Sequence, residues 1–399
     1  MINNSRRSFR FLEWCLAWEI LIFSGGTGET NGGITFLRSY HGGLILLLTS
    51  ICLSLLASKN KAKNKEKSST VVMLIVVVWM SVNSIIFDIG ATNGFGFLHN
   101  FLPILKVYAI TMYLAISALS FRHFRNILLK ALTYLSAATL IAWALRMTLG
   151  IGTLVQRGSI NIGVFQHFNK RTASIYWEPG QYQIIMIFVL VLFLDELRQL
   201  NLSNIKYYIK KFGIIILALV ICQSTTGYLS LIALIGIVFI FNKSAKKNKI
   251  LYILMLSVAF GIGLLILNSD VVQNKINQDQ LSYRSSYGTR LMDNIALLKI
   301  SLISPLTGLG RKGDDFVKYS IFFNNRTTSN GWFAGAASLG WPFLMMYICC
   351  IFRNLKRMKL GVTALFAFIP LFLSQSGEPD MLFPIMYLYV YRFRDYVKY

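Results

Sequence analysis

Long apolar blocks separated by short basic segments are the feature that most constrains how this chain can fold. Blocks such as 71–86, 184–194 and 229–241 hold almost no polar side chain. A helix needs about 20 mostly apolar residues to cross a bilayer, and inside lipid its backbone must satisfy its own hydrogen bonds. Blocks of this kind along the whole chain predict an all-α, polytopic transmembrane helix bundle that forms one integral membrane domain over residues 1–399.

Composition and charge placement agree with this class. The chain is 55% hydrophobic and 14% charged, with a mean hydropathy of +0.56, whereas soluble domains average about 25% charged residues. The net charge of +24 would suggest nucleic acid in a soluble protein. Here the cations lie between apolar blocks, as in 59–67, 243–249 and 353–359, and basic loops between spans mark a cytoplasmic face. We therefore expect the lipid bilayer as a partner and no nucleic acid.

The apolar blocks predict about twelve spans. Their approximate bounds are 10–24, 41–58, 71–88, 101–119, 127–149, 180–195, 212–224, 226–242, 250–268, 332–352, 361–376 and 380–391. The first span is read as uncleaved, and Glu13 and Glu19 make it the least apolar of the set. This arrangement puts both termini in the cytoplasm, and it leaves the short outer loops nearly free of basic residues.

Two predicted outer loops are large enough to carry chemistry, at 150–179 and 269–331. Within the second loop, residues 290–303 predict an amphipathic helix that stops at Ser304-Pro305. The apolar residues that share one face of this helix are Leu291, Met292, Ile295, Leu298 and Leu302.

The first outer loop offers an arginine and a carboxylate close together in sequence. Pro179 favours the first position of a helix, which places Glu178 at the helix cap, with Arg171 seven residues earlier. These two side chains are candidates for a shared pocket. The alternative is that Glu178 only caps the helix and that Arg171 binds lipid headgroups.

The second outer loop adds further candidates. Arg290 opens the amphipathic helix, and Gly308 to Lys312, with Arg311, form either an anion-binding turn or an ordinary one. Ser329 and Asn330 precede the next span as substrate-binding residues or as a polar cap. Glu378, before the last span, is a second outer carboxylate, and 224–227 forms a turn between two spans.

The sequence gives no sign of a metal or a bound cofactor. The four histidines do not cluster at ligand spacing, and the five cysteines lie in or beside apolar blocks. Nucleotide-binding fingerprints are absent from the sequence. A metal-independent site without a cofactor is therefore expected.

Five motifs in order resemble the O-antigen polymerase and ligase superfamily of bacterial envelopes. The resemblance covers about residues 165–350. The motifs are Arg171 followed by Trp177-Glu178-Pro179-Gly180, the Ser-Thr-Thr-Gly turn at 224–227, Arg290 at a helix start, Pro305 with Gly308 and Gly310, and Ser329-Asn330 before a span.

This resemblance implies a type-C glycosyltransferase architecture in the bacterial cytoplasmic membrane. The implied substrate is an undecaprenyl-diphosphate-linked oligosaccharide, and the implied activity joins such repeat units into an O-antigen or capsule on the outer face. A chain-length regulator and a flippase are the implied partners. In this reading Arg171, Glu178 and Arg290 are catalytic, whereas Arg311, Ser329, Asn330 and Glu378 bind substrate.

Three alternatives remain open. A ligase of the same family typically carries a histidine late in the second loop, and 269–331 contains none. This departure favours a polymerase, although the paired arginine-to-glycine spacing of some polymerases is also missing. A lipid-linked oligosaccharide flippase should carry charges within its spans, whereas the charges expected within the spans of this chain are few, Lys106 and Arg146, and both lie near span ends. A secondary transporter should show two similar halves, which the sequence does not.

Overall fold

The computed structural model describes most of the chain. The described residues are 2–24, 40–59, 67–88, 95–149, 166–168, 171–176, 178–242, 286–310, 314–323, 330–375 and 384–394, with isolated positions between 251 and 285.

The described residues are mostly helical, which confirms the all-α prediction. Before the hairpin the helices are α1 (Ile2–Phe23), α2 (Tyr40–Lys59), α3 (Lys67–Asn83, continued by a π turn at Ser84–Asp88), α4 (Phe95–Ala118) and α5 (Phe121–Leu149). A short antiparallel hairpin follows, formed by β1 (Gln166–Phe168) and β2 (Arg171–Ser174). The next helices are α6 (Pro179–Val191), α7 (Leu194–Leu197), α8 (Ile205–Cys222) and α9 (Thr225–Phe241). The last group is α10 (Ser286–Ile303), α11 (Asp314–Phe322), α12 (Gly331–Leu339), α13 (Trp341–Leu355, continued by a π turn at Lys356–Leu360), α14 (Thr363–Gln375) and α15 (Pro384–Val390).

Among the described residues, two helical segments are long and apolar enough to cross a membrane. These are Lys67–Phe87, with a mean hydropathy of 2.4, and Phe121–Leu149, with a mean hydropathy of 1.6. Shorter apolar helical segments of 10–17 residues accompany them, such as Pro179–Val191 and Thr225–Phe241. The structure is thus compatible with a membrane protein, while the count of twelve spans stays a prediction. The predicted span at 250–268 lies almost entirely outside the described residues.

The span predicted at 332–352 is not one continuous helix, because the structure divides it into α12 and α13 at Gly340. Gly340 lies between the two helices with a φ of 85°, a backbone conformation that favours glycine. A Cβ at this position would lie 2.3 Å from the carbonyl oxygen of Leu306. Pro342 then occupies the first turn of α13, where its missing N–H costs the helix nothing.

Helix α6 forms the centre of the bundle. Its side chains from Gln181 to Val191 are all buried, and it contacts α5, α8, α9, α14 and α15. A helix that is apolar all round is expected in such a central position. The predicted apolar block at 184–194 is therefore the packed core.

The helix ends fall into two groups at opposite ends of the bundle. At the end that carries the hairpin, Tyr176 donates to the Leu21 carbonyl at 2.8 Å and the Ile385 amide donates to Ser24 Oγ at 2.8 Å. We name this the hairpin end. At the other end, the Arg392 amide donates to Ser69 Oγ at 3.1 Å.

The second end, which we name the basic end, holds a buried ionic network. Arg125 donates to Asp195 Oδ1 at 2.6 Å, to Glu196 Oε1 at 2.7 Å and to the Leu192 carbonyl at 2.9 Å. Lys211 binds the second oxygen of Glu196, and the Arg125 guanidinium lies 4.7 Å from the centre of the Phe193 ring. The network joins α5, α7 and α8.

Candidate functional site

The second strand of the hairpin packs against α5, α6 and α8. The hydroxyl oxygens of Ser174 and Thr139 lie 2.7 Å apart and share a hydrogen bond. Ser174 also has a φ of 57°, in the left-handed region, and this conformation turns the chain from β2 toward α6. Arg171, at the other end of β2, is half-buried.

Glu178 occupies the N-cap of α6, as the sequence predicts. Its backbone is extended, Pro179 follows in the first turn, and its carbonyl accepts from the Gln181 amide at 3.1 Å. The side chain is exposed and makes no capping hydrogen bond. The carboxylate therefore lies at the positive end of the helix dipole and is left accessible to another group.

A set of polar groups lies beneath Glu178, between α6, α9 and α14, and Ser374 contributes to it through its backbone carbonyl. We name Gln183, Ser224, Thr226 and Ser374 the polar seam. Gln183 Nε2 donates to the Ser374 carbonyl at 3.2 Å and lies 3.5 Å from Thr226 Oγ1. The Ser224 and Thr226 hydroxyls are 3.1 Å apart. Gln183 is fully buried, and its Oε1 has no hydrogen-bond partner in the structure. A buried acceptor of this kind costs about 1–3 kcal/mol until a donor reaches it.

The close approach of α9 to α6 depends on Gly227. A Cβ at this position would lie 2.9 Å from Gln183 Cβ and 3.2 Å from Gln183 Oε1. Ser224 caps α9 by accepting from the Gly227 amide at 3.4 Å. The 224–227 segment is therefore more than a connecting turn, because it brings the start of α9 against Gln183.

The last turn of α14 joins the polar seam to α12. Trp332 Nε1 donates to the Phe372 carbonyl at 3.2 Å, two residues before Ser374. Asn330 caps α12, because its Oδ1 accepts from the Trp332 amide at 3.1 Å and the Phe333 amide at 3.3 Å. The capping alternative for Asn330 is thus confirmed, and its role in binding substrate stays a prediction.

The described part of the glycine turn does not form an anion cradle. The amides of Gly308, Leu309 and Gly310 donate to the carbonyls of Ser304, Ala337 and Ser338, at 2.8, 2.9 and 3.1 Å. Because these amides are already bonded, the ordinary-turn alternative fits the structure. Asn83 fixes the same turn from α3, since its Nδ2 donates to the Thr307 carbonyl at 2.7 Å and the Ser338 carbonyl at 3.0 Å.

The remaining predicted residues are distributed as follows. Arg290 is half-buried in α10, which packs on α12 rather than on the hairpin. Arg311, Ser329 and Glu378 lie outside the described residues. Among the described residues, Arg171 in β2 and Glu178 at the start of α6 belong to one pair of elements in contact, and Arg290 in α10 and Asn330 at the start of α12 belong to another.

Three buried polar residues at the hairpin end were not among the predicted site residues. Gln183 and Ser374 lie in apolar blocks, where a lone polar residue gives a weak signal. Arg146, near the end of α5, is buried, and its Nη1 has no hydrogen-bond partner. A buried arginine without a carboxylate partner among the described residues is expected to attract an anion.

Neither metal ligands nor known relatives define the site further. Across the described ranges, no group of three His, Cys, Asp or Glu side chains is placed to hold a metal ion. Comparison with family models, curated proteins and solved structures finds no match to the chain.

Proposed function

We propose that the chain is a multi-pass protein of the bacterial cytoplasmic membrane. The support is an apolar perimeter, because many large apolar side chains are exposed on the outside of the bundle. They include Leu48 and Leu55 on α2, Val71 and Val78 on α3, Ile141 on α5, Ile209 on α8, and Leu365 on α14. Soluble monomers rarely expose apolar surface on this scale, whereas lipid is a suitable neighbour for it.

The contacts between helix ends support the proposed orientation, in which the basic end faces the cytoplasm. Segments assigned to the cytoplasmic side contact one another, as where Arg353 donates to Ser68 Oγ at 3.3 Å and Arg198 donates to the Leu360 carbonyl at 3.3 Å. Segments assigned to the outer side also contact one another, as Tyr176 does with Leu21. If the direction of one helix across the membrane were assigned wrongly, an end assigned to the cytoplasmic side would contact ends assigned to the outer side.

The proposed activity is polymerisation of lipid-diphosphate-linked oligosaccharide repeat units at the hairpin end. The observation that carries it is the exposed Glu178 carboxylate at the start of α6, above the buried polar seam. The family resemblance in the sequence supplies the substrate class. An O-antigen ligase is the alternative within the family.

The proposed chemistry is a single displacement at the anomeric carbon of the donor sugar. An acceptor hydroxyl forms the new glycosidic bond, the bond to the diphosphate breaks, and the hydroxyl proton passes to the Glu178 carboxylate. Arg171 and Arg146 are the cations proposed to stabilise the departing diphosphate, because a guanidinium offers several donors and stays charged. Gln183 Oε1 is proposed to accept from a sugar hydroxyl. Arg290 is kept as a further candidate for the diphosphate.

The test is the carrier-linked glycan pool in a deletion strain complemented with variants. Loss of a polymerase leaves single repeat units on the carrier or on the surface lipid. Loss of a ligase leaves long chains on the carrier, and loss of a flippase leaves units on the cytoplasmic side. Long carrier-linked chains in the deletion strain would contradict the polymerase and favour the ligase.

Two variants with matched controls test the residues. Glu178→Gln keeps the shape of the side chain but loses the base, so we expect single units at normal protein levels, whereas Asp315→Asn, also exposed in a helix first turn, should support full chains. Arg171→Ala should fail to restore long glycan chains to the deletion strain. Lys130→Ala, which removes an exposed cation of α5, should restore them. Full-length glycan from both Glu178→Gln and Arg171→Ala would contradict the roles proposed for Glu178 and Arg171.

A second candidate function is transport of the lipid-linked unit. The observation that favours it is a pair of buried carboxylates in α1, where Glu19 accepts from Thr49 Oγ1 at 2.8 Å and Glu13 lies 3.0 Å from His123 Nε2. Charges within the apolar helices are thus not limited to Lys106 and Arg146. A transporter should lose export in Glu19→Gln, whereas a polymerase should still export single units.

A further inference from the structure

Helix α10 exposes an apolar stripe that no described element covers. Leu291, Ile295, Leu298 and Leu302 recur at helical spacing, and Leu298 and Leu302 are 38% and 62% exposed. This is the face that the sequence identifies as apolar, and it points away from the bundle. A helix in a watery loop would be expected to turn its leucines inward.

The inward face of α10 is already filled by a different set of side chains. Leu297 and Ile300 pack with Ala334 and Ala337 of α12 and with Leu309 and Phe316, in a small core separate from the main one. Helix α10 therefore has two apolar faces, and only the inward face is packed against other described parts of the protein. The outer stripe requires another neighbour.

The turn that follows the stripe lies beside the apolar, exposed end of α3. Asn83 of α3 binds the Thr307 carbonyl, so the turn after α10 is next to the end of α3. Leu306 in this turn is exposed, and so are Ile85 and Ile86 just after Asn83. Only 22% of the most apolar window of Lys67–Phe87 is buried, so a largely exposed candidate span stands next to the turn in which the stripe ends.

We infer that α10 lies along the outer surface of the membrane, with its leucine stripe in lipid. The inference rests on the proposed membrane location, and the neighbour it names is phospholipid rather than a protein. Arg290 is half-buried at one end of the stripe and Lys299 is exposed near the other. These two cations suit the phosphate level above the hydrocarbon, as in interfacial amphipathic helices. Helix α11 (Asp314–Phe322), whose Phe316 packs in the same small core as α10, is thereby held close to the membrane surface.

The test places an environment-sensitive fluorescent amino acid at one position at a time in the full chain. The protein is reconstituted in vesicles of phosphatidylethanolamine and phosphatidylglycerol, with or without a lipid that carries a nitroxide near its headgroup. Probes at positions 298 and 302 should show blue-shifted emission and lose intensity to the nitroxide lipid. A probe at Lys318, exposed on α11, should instead be quenched by aqueous iodide.

Two other outcomes would show that water or a protein, rather than lipid, lies against the leucine stripe. Probes at 298 and 302 that respond like the one at 318 would overturn the inference, because the stripe would then face water. Shielding of both probes from the nitroxide lipid and from iodide would also overturn it, because a protein would then cover the stripe. A probe at Val78, exposed on α3, reports on the membrane location independently. The measurement uses no glycan, so its result does not depend on whether the proposed polymerase activity is correct.

Discussion

Gly227→Ala should separate α9 from α6, two of the three helices that build the polar seam. The added methyl carbon would lie 2.9 Å from Gln183 Cβ and 3.1 Å from Gln183 Cγ, well inside the usual contact of about 3.5–4.0 Å between carbon atoms. Because the clashing Cβ atom is fixed to α6, the clash is not relieved by a side-chain rotation alone. Helix α9 must move by roughly 0.5–1 Å, and the contact from Gln183 Nε2 on α6 to Thr226 Oγ1 on α9 lengthens with it.

The size of the effect follows from two opposing terms. Forcing an extra methyl into a packed site costs about 1–3 kcal/mol, while replacing glycine by alanine in a helix gains about 0.5–1 kcal/mol. Gly236→Ala, on the same helix, isolates the second term, because its added Cβ would meet nothing within 4 Å. Gly227→Ala should therefore be less stable than Gly236→Ala by about 1–3 kcal/mol.

The assay compares apparent melting temperatures of both variants in lipid nanodiscs. For a chain of this length, 1 kcal/mol corresponds to roughly 1 °C, from the usual entropy of unfolding per residue. Gly236→Ala should melt at or slightly above the parent, and Gly227→Ala roughly 1–3 °C below Gly236→Ala. Gly227→Ala should also lower the yield of polymerised glycan. Equal melting temperatures would refute the close packing of α6 and α9.

Three further predictions concern other parts of the bundle. Asn83→Ala should destabilise the chain by about 1–3 kcal/mol, because the buried Ser338 carbonyl and the partly buried Thr307 carbonyl lose their donor. Thermal melting measures this, with the exposed Val82→Ala as control, and an unchanged melt would contradict the contact. Arg125→Met should cost about 1–3 kcal/mol, since its two carboxylate partners are 27% and 25% exposed and water partly replaces it; the same melt measures it, and the exposed Lys130→Met should have little effect. A reporter active only in the cytoplasm should work when fused at position 63 and fail at 325, and activity at 325 would reject the topology.

The local signals in the sequence were sufficient for helices and caps. Pro179 in the first turn and Glu178 before it predict the start of α6, and the structure begins the helix there. The apolar blocks at 71–88 and 127–149 predict helices, and α3 and α5 contain them. Such features depend on neighbours within one or two turns, and the sequence displays those directly.

Features that depend on distant segments could not be read in the same way. Gly340 breaks a continuous apolar block because the chain at Leu306 and Thr307 packs against it, and nothing near residue 340 in sequence indicates that contact. Gln183 became a site candidate only when α9 and α14 were seen beside it. The outward direction of the α10 stripe was equally hidden, since both of its faces carry apolar residues.

The depth of the site along α5 links the fold to the proposed chemistry. About 20 helical residues are needed to cross a hydrocarbon layer of about 30 Å. If the layer begins at Ile127 on α5, just after Arg125 at the basic end, it ends close to Arg146. The hairpin contacts α5 at Thr139, seven residues earlier, which is about 10 Å deeper. Arg146 would then lie level with the diphosphate of a lipid carrier, while the attached sugar would reach down toward Gln183. The polar seam would supply the protein partners that the hydroxyls of a sugar at this depth need after they lose water.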